Sequence, residues 1–160
     1  PGRFEKVENG LGLGVYVDYA HTDAALRSLL EMARELKPGR VILVFGAGGD
    51  RDRTKRPRMG EVACQLADWT VLTSDNPRSE DPLAIIREIE QGFRRSSCKK
   101  YEIVPDRREA IARALAFAKK GDLVLIAGKG HEAYQVVGTA VLPFSDVTVA
   151  AEILASMGGA

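Results

Sequence analysis

The sequence is poor in cysteine, with only Cys64 and Cys98. Two thiols cannot build a disulfide framework, and neither has a paired spacing with His21 or His131 that suggests a zinc site. A reducing, cytoplasmic setting is the simpler expectation. Long apolar runs are also missing: Val41 to Phe45 and Leu123 to Ala127 are strand-sized, far short of the roughly 20 residues a membrane helix needs. Charge of one sign is missing too, the formal net charge being +1 over 160 residues, which removes bulk attraction to nucleic acid. Neither a membrane nor a nucleic-acid partner is therefore expected. The opening Pro1-Gly2-Arg3-Phe4-Glu5 has no initiator Met, no signal-sequence pattern and no helix cap, and it reads as a cut made inside a longer protein. Two phosphate-binding motifs fail as well. The glycine run from Gly46 would need glycine at 51 for a dinucleotide fingerprint and has Arg51 instead, and no lysine after a glycine, Lys129 included, completes a P-loop.

What is present suits one globular domain over residues 1–160, with 45% hydrophobic and 28% charged residues and enough chain to bury a core. Strand-length apolar segments alternate with helix-period segments, which predicts an α/β fold: a Rossmann-like, mainly parallel sheet of about six strands with helices on both faces. The expected strands are Gly14 to Tyr19, Arg40 to Phe45, Trp69 to Ser74, Lys100 to Val104 and Asp122 to Ala127, with a sixth at Ala140 to Pro143. Helical stripes run through Leu26, Leu29, Leu30, Ala33 and Leu36, through Met59, Val62, Ala63 and Leu66, and through Ile86, Ile89 and Phe93. Asp106 and Glu109 form a variant capping box for a helix carrying Ile111, Ala114, Leu115 and Ala118, with Gly121 as its stop. A last helix is expected with Asp146 as N-cap and Ile153, Leu154 and Met157 inward.

In such sheets ligands bind beyond the carboxyl ends of the strands, so four exits matter: Asp18-Tyr19-Ala20-His21, Gly46 to Arg51, Asp75-Asn76-Pro77-Arg78, and Gly128-Lys129-Gly130-His131-Glu132. The run Asp50 to Arg58 packs five cations and two carboxylates before a helix, suited to carboxylate or phosphate but equally to a solvated loop. Arg51, nearest the glycine turn, stands out. Asp75, Asn76 and Arg78 on a loop stiffened by Pro77 suit the charged groups of an amino acid, although Asp-Asn-Pro is also ordinary turn chemistry. His21 is a base, a ligand contact or a helix-start residue, and no nucleophile turn supports a catalytic triad. His131 reads as structural or as a support behind the residues that touch ligand. Glu132 suits a substrate ammonium or is an exposed loop acid.

Taken in order, Asp18-Tyr19-Ala20-His21-Thr22, Phe45 to Asp52, Lys55-Arg56-Pro57, Ser74 to Pro82 and Gly128 to Glu132 resemble the C-terminal domain of the Mur ligases, in the diaminopimelate-adding branch. The resemblance covers nearly the whole chain, and Ala47 is a small departure where a small residue or cysteine is expected. It implies an ATP-dependent amide ligase of peptidoglycan precursor synthesis, in which the carboxylate of a UDP-MurNAc-dipeptide is phosphorylated and then attacked by an amine. By position, Arg3, Asp18 and His21 are implied as ATP contacts. Arg51, Asp75, Asn76, Arg78, Gly128 and Glu132 are implied as the meso-diaminopimelate site. The P-loop, the Mg2+ ligands, the modified lysine and the UDP-sugar domain would lie in N-terminal and central domains of the same chain, upstream of Pro1, so no catalytic or metal-binding residue is expected within these residues. A lysine-adding or folylpolyglutamate-type ligase, and a non-catalytic amino-acid or nucleotide-binding module, are the competing expectations. Arg78 carries the choice, because meso-diaminopimelate ends in an amino-carboxylate where lysine ends in an ammonium.

Overall fold

The computed structural model describes residues 1–158; Gly159 and Ala160, the end of the expected domain, lie outside the described residues. The apolar runs form the middle of one sheet: β2 (Gly14–Asp18), β3 (Val41–Phe45), β4 (Trp69–Leu72), β5 (Tyr101–Ile103) and β6 (Leu123–Ala127). With β1 (Glu5–Lys6) the strand order is β1-β2-β6-β3-β4-β5, antiparallel only between β1 and β2. β3 and β6 are buried at every position, as expected of strands covered on both faces.

The helices are α1 (Asp23–Glu35), α2 (Lys55–Leu66), α3 (Pro82–Arg95), α4 (Arg107–Phe117) and α5 (Asp146–Ser156). Thr22, Asp81, Asp106 and Ser145 cap α1, α3, α4 and α5, each accepting a backbone N–H of the first turn. This satisfies donors that the helix leaves open. Leu26, Leu29, Leu30, Met59, Val62, Ile86, Ile89 and Phe93 pack one apolar layer against the sheet. Ile111, Ala114, Leu115, Val149 and Leu154 pack the other. Helices thus cover both faces, and the return of β6 between β2 and β3 creates the topological switch at which a crevice opens.

Several expectations are corrected. Ala140 to Pro143 is β8, paired with β7 (Tyr134–Val137) in a separate antiparallel hairpin; the sixth strand of the main sheet is β1. Leu36 and Met157 are exposed, since each falls at the C-cap of its helix and points past the packed face. Ile153 is only partly buried. Ser145, not Asp146, is the N-cap of α5, because Asp146 is drawn inward by a charge described below. Finally, α4 ends at Phe117, ahead of Gly121, whose positive φ instead serves the turn into β6.

Candidate functional site

The four exits converge on one cleft of about 480 Å³, within the range of roughly 300–1,000 Å³ typical of small-ligand sites. Of the residues expected from sequence, His21, Arg51, Asp75, Asn76, Arg78, Gly128 and Glu132 line it, joined by Tyr19, Lys55 and Tyr134. Arg3 and Asp18 do not line it but sit behind its edge. The Arg3 guanidinium lies 5.6 Å from the Tyr19 ring centroid. Asp18 accepts the Phe4 N–H at 2.7 Å and the Ala20 N–H at 2.8 Å, which ties the N-terminal segment to the end of β2. His21 meets Tyr19 edge-on, and its Nδ1 lies 2.8 Å from the Tyr19 carbonyl. His131 is exposed and outside the cleft lining.

The floor is built where β4 and β6 end. Asp75 and Asn76 are buried, and Gly128 follows β6 with φ +117°, where a Cβ would stand 2.5 Å from Asp75 Oδ2. Only glycine allows both the backbone angle and the carboxylate's approach. Gly49 is equally constrained, since a Cβ there would collide with the Pro77 carbonyl. This brings the β3 and β4 exits into contact, with Gly49 N–H donating to the Asn76 carbonyl at 2.7 Å.

Arg78 adopts φ +52° and is stitched to the hairpin: its N–H donates to the Val136 carbonyl at 3.0 Å, and its carbonyl accepts from Gly138 at 2.6 Å. Its Nη1 donates to the Gly49 carbonyl at 2.9 Å, leaving the rest of the fork toward the cleft. A non-glycine residue held at positive φ costs about 1–3 kcal/mol and persists only where its surroundings demand it. Arg51 is exposed, with Nη1 3.1 Å from the Asp50 carbonyl.

Some organising residues escape the sequence reading. Lys129 is fully buried and donates to Asn76 Oδ1 at 2.8 Å and to Glu132 Oε1 at 3.4 Å, with Asp75 Oδ1 at 3.7 Å. Burial pushes the Asp75 carboxyl up, against the opposing pull of Arg107 and Lys129. Arg107 and Asp146 form a pair with no exposed side-chain surface, at 2.8 and 2.7 Å. Arg107 also donates to the Ser74 and Ala127 carbonyls, the residues just before Asp75 and Gly128. Within the cationic run, Arg56 is buried and grips Glu80 at 3.0 and 2.8 Å and the Gly48 carbonyl at 2.9 Å. It is therefore scaffold rather than solvated loop. The only available signals were the glycines around Lys129 and the acids spaced downstream of Arg56; Arg107 carried none.

The family model described as Mur ligase, glutamate ligase domain, matches residues 2–130. The chain belongs to the Mur ligase family. Among similar curated proteins, a UDP-N-acetylmuramoyl-L-alanyl-D-glutamate--2,6-diaminopimelate ligase of Syntrophomonas wolfei is 58% identical over 96% of this chain. One of the same name from Caldanaerobacter subterraneus is 54% identical over 96% of it. A solved structure of a ligase of that name superposes with a TM-score of 0.91 at 40% identity, over 99% of this chain and 32% of that one. The chain spans 32% of the length of these curated relatives. A murein peptide ligase from Psychrobacter arcticus, at 18% identity and a TM-score of 0.69, shares the fold. The cleft of this Mur ligase domain is lined by cationic and amide groups at Arg51, Asn76 and Arg78. Acceptors gather at Asp75 and Glu132.

Proposed function

We propose that this Mur ligase domain supplies the amino-acid site of an ATP-dependent ligase that joins meso-diaminopimelate to UDP-MurNAc-L-Ala-D-Glu in peptidoglycan precursor synthesis. The observation that carries the reading is the paired polarity of the cleft. Arg78, Arg51 and the Asn76 amide suit a carboxylate, and Glu132 and Asp75, both already beside the Lys129 ammonium, suit a further ammonium. An amino-carboxylate satisfies both sets. A lone ammonium leaves the guanidinium unpaired in a partly buried site, which is the strongest basis for rejecting a ligand. The relatives named above carry 2,6-diaminopimelate in their names.

The nucleotide would meet the opposite edge. Arg3 over Tyr19, with His21 beside it, offers a cation and aromatic faces. The Asp18 oxygens, each taken by one backbone N–H, keep lone pairs for a hydroxyl. These residues fit ATP as an outer wall and not as a phosphate cradle. When bound, ATP supplies the phosphoryl group that activates the acceptor carboxylate. Among the described residues there is no group of three His, Cys, Asp or Glu placed to hold a metal ion, and Mg2+ ligands belong in this reading to the other domains of the longer protein. The work of this domain is to fix the amine's carrier by its far amino-carboxylate and present it in register, which lowers the entropy cost of the encounter. In the full-length ligase, steady-state kinetics should show meso-diaminopimelate preferred over L-lysine by at least about a hundredfold in kcat/KM. Equal use of the two, or preference for lysine, overturns the reading.

A further inference from the structure

Lys129 holds its charge where solvent does not reach it. Its side chain is fully buried and absent from the cleft lining, yet it contacts three residues that line it, Asn76, Asp75 and Glu132. An ammonium has three N–H donors; here three side-chain oxygens lie around it at 2.8, 3.4 and 3.7 Å. The Tyr134 ring centroid stands 5.7 Å away. Two of the oxygen contacts are hydrogen bonds and the third a longer ion pair; with no exposed side-chain surface and no place in the lining, the ammonium acts on binding through its partners.

The consequential partner is Asn76. Its Oδ1 accepts from Lys129 Nζ at 2.8 Å and from the Val136 N–H at 3.0 Å. Neither group can accept a hydrogen bond, so a flipped amide would set its NH2 against two donors. The orientation of the amide is therefore decided by chemistry. Nδ2, with no acceptor among the described residues, is left as the cleft-facing end.

We propose that Lys129 is a positioning residue for amino-acid choice. It holds the Asn76 amide with its NH2 toward the cleft, so that a carboxylate is demanded beside Arg78, and it gathers Asp75 and Glu132 as the seat of the neighbouring ammonium. The inference rests on the amino-acid site described under Proposed function.

The test uses the full-length ligase, with KM measured separately for the amino acid and for ATP. Which amino acid the wild type prefers reports on the functional reading; how the KM for that amino acid responds to substitution reports on Lys129. Lys129→Met keeps the length and removes both donor and charge. It should raise the amino-acid KM about ten- to a hundredfold while the ATP KM stays within about twofold. Lys129→Gln keeps an N–H donor for Asn76 Oδ1 without the charge and should fall between wild type and Lys129→Met, so it carries the test alone if the methionine variant does not fold. In an Asn76→Ala background, Lys129→Met should raise the KM by clearly less than it does in the wild type, because part of its effect runs through Asn76. An unchanged amino-acid KM in the folded variants, or amino-acid and ATP KM rising in parallel, overturns the proposal.

Discussion

Asp146→Ala should be among the most damaging single substitutions in the domain, and its cost follows from the pairing. Asp146 and Arg107 have no exposed side-chain surface, and both carboxylate oxygens meet the guanidinium, at 2.8 and 2.7 Å. Removing the acid leaves a buried cation whose remaining hydrogen bonds go to the Ser74 and Ala127 carbonyls. Breaking one partner of such a pair costs about 3–5 kcal/mol, roughly a third of the 5–15 kcal/mol that holds a typical domain folded. For a chain of this length that corresponds to a fall in Tm of about 6–20 °C. Glu152→Ala is the internal control: its bond to Arg108, at 3.0 Å, is about half exposed on both sides, and such pairs contribute at most about 1 kcal/mol. Arg107→Met with Asp146→Leu should recover much of the loss, since replacing both charges removes the unpaired one. Urea denaturation of the three variants reads these differences. Asp146→Ala costing no more than Glu152→Ala would refute the argument.

Gly128→Ala should cost about 1–3 kcal/mol in the same denaturation assay, because φ is +117° and the new methyl stands 2.5 Å from Asp75 Oδ2; it should also raise the amino-acid KM of the full-length ligase. Glu80 is held at a pKa of about 2, below its ordinary 4.5, by its bonds from Arg56 and then by the Asp50 N–H. Its contribution to stability is therefore complete above about pH 4.5 and lost as pH falls through about 2, so Glu80→Gln should flatten the acid limb of a stability-against-pH curve over that window. His21→Ala in the full-length ligase should raise the KM for ATP more than that for the amino acid, as follows from the proposed nucleotide contact at His21 beside Tyr19.

The strands of the sheet's centre were legible because β3 and β6 are unbroken apolar runs, and burial on both faces demands that composition. β1 was not, since two residues carry no period. Ala140 to Pro143 has strand composition, but no local pattern says which sheet a strand joins. The site's lining was legible at the strand exits because polar and glycine residues there interrupt apolar sequence. The support beneath it was not. Arg107 lies 39 residues from Asp146 and 33 from Ser74, and pairings that distant are set by topology. Asp146 beside Ser145 offers two adjacent cap candidates, and the buried guanidinium decides between them. Lys129 looked like a failed phosphate motif because its meaning depends on Asn76, which the sheet brings alongside from 53 residues away.

In the proposed function, Arg78 reads the carboxylate that distinguishes meso-diaminopimelate from lysine. That role is tested most directly by kcat/KM for both amino acids in the full-length ligase, wild type against Arg78→Ala. Loss of the guanidinium, with Nη1 anchored on the Gly49 carbonyl, should remove about 2–4 kcal/mol of transition-state stabilisation with meso-diaminopimelate. Turnover of lysine should change little, so the preference collapses. Unchanged kcat/KM for meso-diaminopimelate, or an equal loss with both amino acids, would contradict the account.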